Sequence, residues 1–148
     1  MQDHPFSTME VILHLLDCFE YIGGRPEELV IDQDRLMVVS ENSGQIIFTK
    51  QFRSFIEEQE LRLWVCRKAE PQSKGKVENL IKFVKTSFFS ARCFYQVSEI
   101  PAKLNLWLSR RANGKICQAT GRIPRVVLQE EEQKCLRSLR ASVFLSQT

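Results

Sequence analysis

Two short apolar runs constrain this chain more than anything else in it. Leu29–Ile31 forms a continuous run that stops at Asp32, and "LRLWVC" alternates Leu61, Leu63 and Val65 against Arg62 and Trp64. The first suits a buried strand and the second a half-buried one. Between them, Lys50–Glu60 carries Phe52, Phe55 and Ile56 on one helical face. Ahead of them, residues 8–22 repeat apolar positions at Val11, Leu15, Cys18, Phe19 and Ile22, with Ser7 or Thr8 as the cap and Gly23 and Pro26 as the stop. Strands alternating with amphipathic helices place the chain in the α/β class. Residues 34–49 hold a Ser-Glu-Asn-Ser-Gly turn between two apolar patches.

The second half reads as helical. Residues 67–75, "RKAEPQSKG", are expected to be a mobile connection. Ser73 then caps a helix whose buried stripe is Val77, Ile81, Val84 and Phe88, flanked by Leu80 and Phe83. Glu78 lies about 100° around that helix from Val77, on the rim of the stripe. Lys74 and Lys82 stand one turn to either side of it, and Lys85 two turns on. A further helix from about Ser98 to Arg111 is expected to bury Ile100, Leu104, Trp107 and Leu108, and Pro124 opens another.

Charge is divided unevenly. Residues 1–66 hold 5 Lys and Arg against 12 Asp and Glu, whereas residues 67–148 hold 16 against 6. Nearly all the positive field comes from Arg67 to Arg125, which favours a polyanionic partner, nucleic acid being the commonest. The alternative is a solvated basic face. Five cysteines, widely spaced and with no CxxC pair, argue against a disulfide framework or a structural zinc site, and only His4 and His14 would supplement them. They are expected to be reduced and used as small hydrophobes. No apolar run approaches the ~20 residues of a membrane span, and the first residues carry no signal-peptide pattern. A cytosolic protein is expected.

Two acids stand out by position. Asp32 ends a buried strand, where open α/β sheets place ligand groups, and Glu78 lies near the start of the next helix but one. Brought together, they would offer the hard oxygens that Mg²⁺ or Mn²⁺ prefers, beside lysines able to hold a phosphate backbone. Against this, a strand-end Asp is often a turn residue, and Glu78 with Lys74 and Lys82 is also an ordinary i,i+4 surface pairing.

The segments "CFEYIGGRPEELVIDQ" and "CRKAEPQSKGKVENLIKFVKTSFF" resemble the catalytic core of IstA-type insertion-sequence transposases, and "WLSRRANGKICQATGRIPRVVLQEE" resembles the segment after that core in the same proteins. The resemblance covers about residues 8–140, "PQSKGKVEN" being its most specific part. These proteins belong to the DDE transposase and retroviral integrase superfamily. The resemblance implies a ribonuclease-H-like (integrase core) fold over residues 1–92 and a C-terminal helical extension over 93–148. It implies DNA transposition by metal-dependent phosphodiester cleavage and strand transfer, with Asp32 and Glu78 as catalytic and metal-binding acids. Lys85 matches a DNA-contacting basic residue, and Lys74, Lys76 and Lys82 are expected on the DNA backbone. It further implies magnesium or manganese as cofactor, and double-stranded DNA, an ATPase helper and a homo-oligomer as partners, in the bacterial cytoplasm at the nucleoid. Gln33 departs from the Asn common after that Asp.

The family's first catalytic Asp precedes the helix matched by residues 8–22, and neither Asp3 nor Asp17 suits that role. The expectation is a core lacking its first strands, inactive alone, binding Mg²⁺ weakly, and self-associating through the open edge of the strand that ends at Asp32. The rival expectations are a non-catalytic DNA-binding module and an assembly module. Arg110, Arg111, Arg122 and Arg125 either line DNA or surround a helical pair built on Trp107, Leu108, Val127 and Leu128, with packing favoured.

Overall fold

A computed structural model describes residues 6–32, 37–42, 45–66 and 71–147; for 41, 42, 45, 71–74, 76 and 147 it describes the backbone alone. The chain divides into two compact units, residues 70–132 and residues 2–69 joined by 133–148. Helices and short sheets together make a mixed α/β protein.

In the unit formed by 2–69 and 133–148, helix α1 (Thr8–Ile22) opens on a capping box. The Glu10 carboxylate accepts the Ser7 backbone N–H at 2.7 Å, and Ser7 Oγ accepts the Glu10 N–H at 3.3 Å. Gly23 closes the helix at φ 92°, a left-handed conformation that costs glycine little. Of the expected positions Phe19 is buried and Leu15 packs partly buried against the core, while Ile12 and Leu16, each one position on from the expected Val11 and Leu15, complete the buried row. Both rows are apolar in "EVILHLLDCFEYI", so periodicity alone does not choose between them, and Cys18 is left exposed.

Strand β1 (Glu28–Ile31) pairs in parallel with β4 (Arg62–Val65), Leu29 opposite Leu63 and Ile31 opposite Val65. These four pack toward the core, while the paired Val30 and Trp64 are 58% and 57% exposed on the other face. Between them come the antiparallel β2 (Val38–Asn42) and β3 (Gln45–Phe48) and then α2 (Lys50–Gln59); of the expected turn, Ser40, Glu41 and Asn42 belong to β2, and residues 43–44 lie outside the described residues. Phe52 and Phe55 of α2 are fully buried. Phe55 stacks on Phe19 at 6.3 Å and meets Phe144 edge-on at 6.3 Å.

Phe144 belongs to a tail that the sequence pattern does not announce. Arg25, almost fully buried, donates Nε to the Ser138 carbonyl at 3.0 Å and Nη1 to the Gln59 carbonyl at 2.6 Å. The Arg25 and Arg137 backbones exchange hydrogen bonds at 2.9 Å in each direction. Gly24 allows this approach, since a Cβ there would lie 2.7 Å from the Arg137 carbonyl oxygen. Glu58 completes the clamp, accepting from Ser142 Oγ and from the Val143 N–H, both at 2.8 Å.

In residues 70–132, α3 (Pro71–Val84) runs into a π-helical turn, Lys85–Phe89. Helix α4 (Ile100–Trp107) continues into a second, Leu108–Ala112, and α5 (Pro124–Val127) into a third, Leu128–Glu132. The α3 helix begins at Pro71 rather than after Ser73, with proline in the first turn, where its missing N–H costs nothing. Of the connection expected to be mobile, 67–70 lie outside the described residues and 71–75 are helical. Phe88 and Trp107 are the buried centre, 5.6 Å apart.

All five cysteines are free, but only Cys66 is buried, so the expectation of small hydrophobes holds for that one. Among the described residues no helix is long and apolar enough to cross a membrane. The Arg25 clamp yields a prediction: Arg25→Ala, leaving buried carbonyls without their donor, should cost about 3 kcal/mol. It should lower the urea midpoint and expose the Arg137 amide to hydrogen exchange; an unchanged midpoint would show that the tail does not depend on the guanidinium.

Candidate functional site

Asp32 directly follows β1, and its side chain is exposed. The parallel ladder persists to the residue before it, the Cys66 N–H donating to the Ile31 carbonyl at 2.8 Å. Asp32 therefore stands at the carboxyl end of the two-stranded sheet, the end from which the chain also leaves β4. This is the position expected from the sequence.

Glu78 lies in the second turn of α3, exposed, and makes no hydrogen bond or ion pair with any described residue. The i,i+4 pairing with Lys82 is thus not formed. Lys82 and Lys85 are both exposed. On helical geometry they fall within about 60° of one another around the axis, on the same edge as Glu78. Local hydrogen bonds fix this edge: the Lys82 carbonyl accepts from Thr86 Oγ1 at 2.8 Å, and the Lys85 carbonyl accepts from the Ser90 N–H at 2.9 Å and from Ser90 Oγ at 3.0 Å. Lys74 and Lys76 lie on the first turns of α3, and their side chains are outside the described residues. So are Gln33 and Asp3.

The expected apolar stripe of α3 is only partly buried. Phe88 is buried and Val84 half-buried, but Val77 is 58% and Ile81 48% exposed. Within residues 70–132 the aromatic cluster reaches α3 only near its end, where Phe83 meets Trp107 at 5.3 Å. The first turns carry apolar side chains that no described residue of that unit covers.

Asp32 and Glu78 belong to different compact units, and each is described within its own. Among the described residues no group of three or more His, Cys, Asp or Glu side chains is placed to hold a metal ion.

The arginines, undivided in the sequence, separate in the structure. Arg122 pairs with Glu131 at 2.5 Å and Glu130 at 3.7 Å, and Arg125 donates to the Ser109 carbonyl, so both hold the unit together. Arg110 and Arg111 remain exposed, Arg111 donating Nε to Ser87 Oγ at 2.9 Å. Cys117 carries no signal in the spacing of the cysteines. The Ala119 backbone N–H, and then the Thr120 hydroxyl and N–H, stabilise its thiolate and lower its pKa below the usual thiol value. Only the tight turn "CQATG" could have signalled that.

The packing of α3 is testable by substitution. Phe88→Ala should destabilise the unit by about 3–5 kcal/mol, whereas Ile81→Ala should stay within about 1 kcal/mol. Thermal unfolding of the two variants separates them, and equal losses would mean that the α3 face is covered.

No protein-family model matches the chain. It is 42% identical over 121 residues, 81% of its length and 23% of theirs, to a transposase for insertion sequence element IS21-like of Bacteroides fragilis. To a putative transposase for insertion sequence element IS5376 of Geobacillus stearothermophilus it is 30% identical over 135 residues, 88% of this chain and 34% of that protein. To the transposase for insertion sequence element IS21 of Pseudomonas aeruginosa it is 27% identical over 96 residues, 64% of this chain and 25% of that one. The chain thus spans about a quarter to a third of the length of these curated relatives.

Proposed function

We propose, for a chain that belongs to the family of IS21-type insertion-sequence transposases, that it takes part in DNA transposition by metal-dependent phosphodiester cleavage and strand transfer. The observation that carries this is the 42% identity over 121 residues. The finer proposal is a ribonuclease-H-like core within residues 1–92, with an extension over 93–148. The parallel β1–β4 pair, with α2 in the connection between its strands, supports it.

On this proposal Asp32 and Glu78 hold a divalent ion through their carboxylate oxygens. Their chemistry fits: both are exposed hard oxygen donors, and Glu78 has no competing partner among the described residues. When bound, magnesium or manganese supplies Lewis-acid polarisation of phosphate oxygens. The side chains of Lys82 and Lys85, on the edge of α3 that carries Glu78, bind and orient the flanking phosphates, and Lys74 and Lys76 are assigned the same role. The reaction is an in-line displacement at phosphorus by water and then by a DNA 3′-hydroxyl, so no protein nucleophile is required. Double-stranded DNA, a helper ATPase and further copies of the chain are the proposed partners.

The metal site is tested by titrating Mn²⁺ into the chain and following paramagnetic broadening of amide resonances. Signals near Asp32 and Glu78 should broaden together, and Asp32→Asn or Glu78→Gln should each weaken the effect. In a full-length protein carrying this segment, Glu78→Gln should abolish metal-dependent strand cutting while leaving salt-sensitive DNA binding intact or improved. Retained cutting would remove Glu78 from the chemistry. DNA binding with no Mn²⁺ response in either acid would leave a non-catalytic DNA-binding module.

The sheet edge gives a reason for self-association. Among the described residues β1 pairs with β4 alone, leaving its other edge without a strand. Elution volume should fall as concentration rises, and a constant monomer at high concentration would refute pairing through that edge.

A further inference from the structure

We propose that the cleft between the first two π-helical turns is a seat for a backbone phosphate of DNA, distinct from the Glu78–Lys85 edge of α3. The proposal rests on the reading that this chain acts on DNA. The cleft measures about 390 Å³ and is lined by Thr86, Ser87, Ala91, Arg92 and Arg111. A second recess of about 190 Å³ shares Arg92 and Arg111 and adds Arg110, together with Lys103, whose charge is already met by Glu99 at 2.6 Å. No carboxylate lines either one, whereas the nearby Arg122 is already neutralised by Glu130 and Glu131.

Hydrogen bonding makes the cleft a set of donors. Ser87 Oγ accepts from Arg111 Nε at 2.9 Å and from Trp107 Nε1 at 3.3 Å. Both lone pairs are then occupied, and the hydroxyl proton is left to donate; no described residue accepts it. Arg92 is anchored from below, its Nη1 donating to the Ser87 and Phe88 carbonyls at 3.0 and 3.1 Å and its guanidinium lying 4.9 Å over the Phe88 ring. Its Nε and Nη2 remain for a ligand. Arg111 is held at Nε alone, so both of its terminal nitrogens are available. Two guanidinium groups fixed before binding, with a hydroxyl donor between them, match the oxygens of a phosphate and lose little side-chain freedom on taking it.

The backbone points the same way. Ser87 and Arg111 each sit on a π-helical turn, closed by the Ser90 N–H on the Lys85 carbonyl at 2.9 Å and the Asn113 N–H on the Leu108 carbonyl at 2.8 Å. Such turns are rare and are found disproportionately at functional sites, where the extra residue re-aims a side chain. Here two of them face one cleft.

The test measures the affinity of the 148-residue chain for a labelled DNA duplex by fluorescence anisotropy across a salt series. Arg111→Ala should weaken binding about tenfold and reduce the slope of log K against log [salt] by about one. Arg111→Lys, which keeps the charge and loses the fork, should fall between, and serves if the alanine variant does not fold. Ser87→Ala should weaken binding without changing the slope, and Lys134→Ala, outside the cleft, should do nothing. Single methylphosphonate substitutions along the DNA should reveal one position whose neutralisation weakens the wild type but not Arg111→Ala. If the wild type binds duplex and all cleft variants match it, the cleft proposal falls while the DNA reading stands. If the wild type binds no duplex, the DNA reading falls, and this proposal with it. Arg111-dependent binding of inorganic phosphate without any effect on DNA affinity would overturn the assignment in favour of a free anion.

Discussion

Four residue pairs of parallel ladder, Glu28–Ile31 against Arg62–Val65, set the position of everything that matters in residues 2–69. They put Asp32 at the carboxyl end of the sheet and send the chain out of β4 at that same end. They also turn Leu29, Ile31, Leu63 and Val65 toward α1 and α2. So short a pair of strands cannot persist on backbone hydrogen bonds alone. It persists because Phe19, Phe52, Phe55 and Phe144 make an aromatic core on one face, and because Arg25 ties residues 137–138 to the end of α2 just ahead of β1. The other face, with Val30 and Trp64 in solvent, departs from the usual burial of parallel sheets on both sides.

The parts of this fold governed by local alternation were legible. Leu61, Leu63 and Val65 face the core as their spacing required, and Phe52 and Phe55 do so from α2. The two apolar patches around the Ser-Glu-Asn-Ser-Gly cluster pair as β2 and β3, though Ser40, Glu41 and Asn42 are themselves part of β2. Helix α1 shows the limit of periodicity: Phe19 was legible, but where two adjacent rows are both apolar the partner decides which is buried, and Ile12 and Leu16 won over Val11 and Leu15. The tail was illegible for another reason. Its attachment uses the Arg137 backbone, the Ser138 carbonyl and two oxygens of Glu58, none of which leaves a repeat in the sequence.

For the site, position was legible and company was not. A strand-end Asp and an acid among lysines could be picked out, and the structure places both in solvent. Whether Glu78 spent its charge on Lys82 depended on rotamers, and it does not. The arginines were beyond the reach of pattern altogether. Arg110, Arg111, Arg122 and Arg125 look alike in a sequence, yet the last two are held by Glu130, Glu131 and the Ser109 carbonyl, while Arg111 is turned by a π-helical register that no local propensity encodes.

The tail also bears on the order in which the chain acquires its shape. Phe144 leaves the ribosome only after all of residues 70–132, yet it is a wall of the aromatic core built by α1 and α2. Residues 70–132, rich in contacts between neighbours, can therefore consolidate during synthesis, while α1 waits with an unfinished interior. For that interval the apolar row of α1 is a natural client for a chaperone.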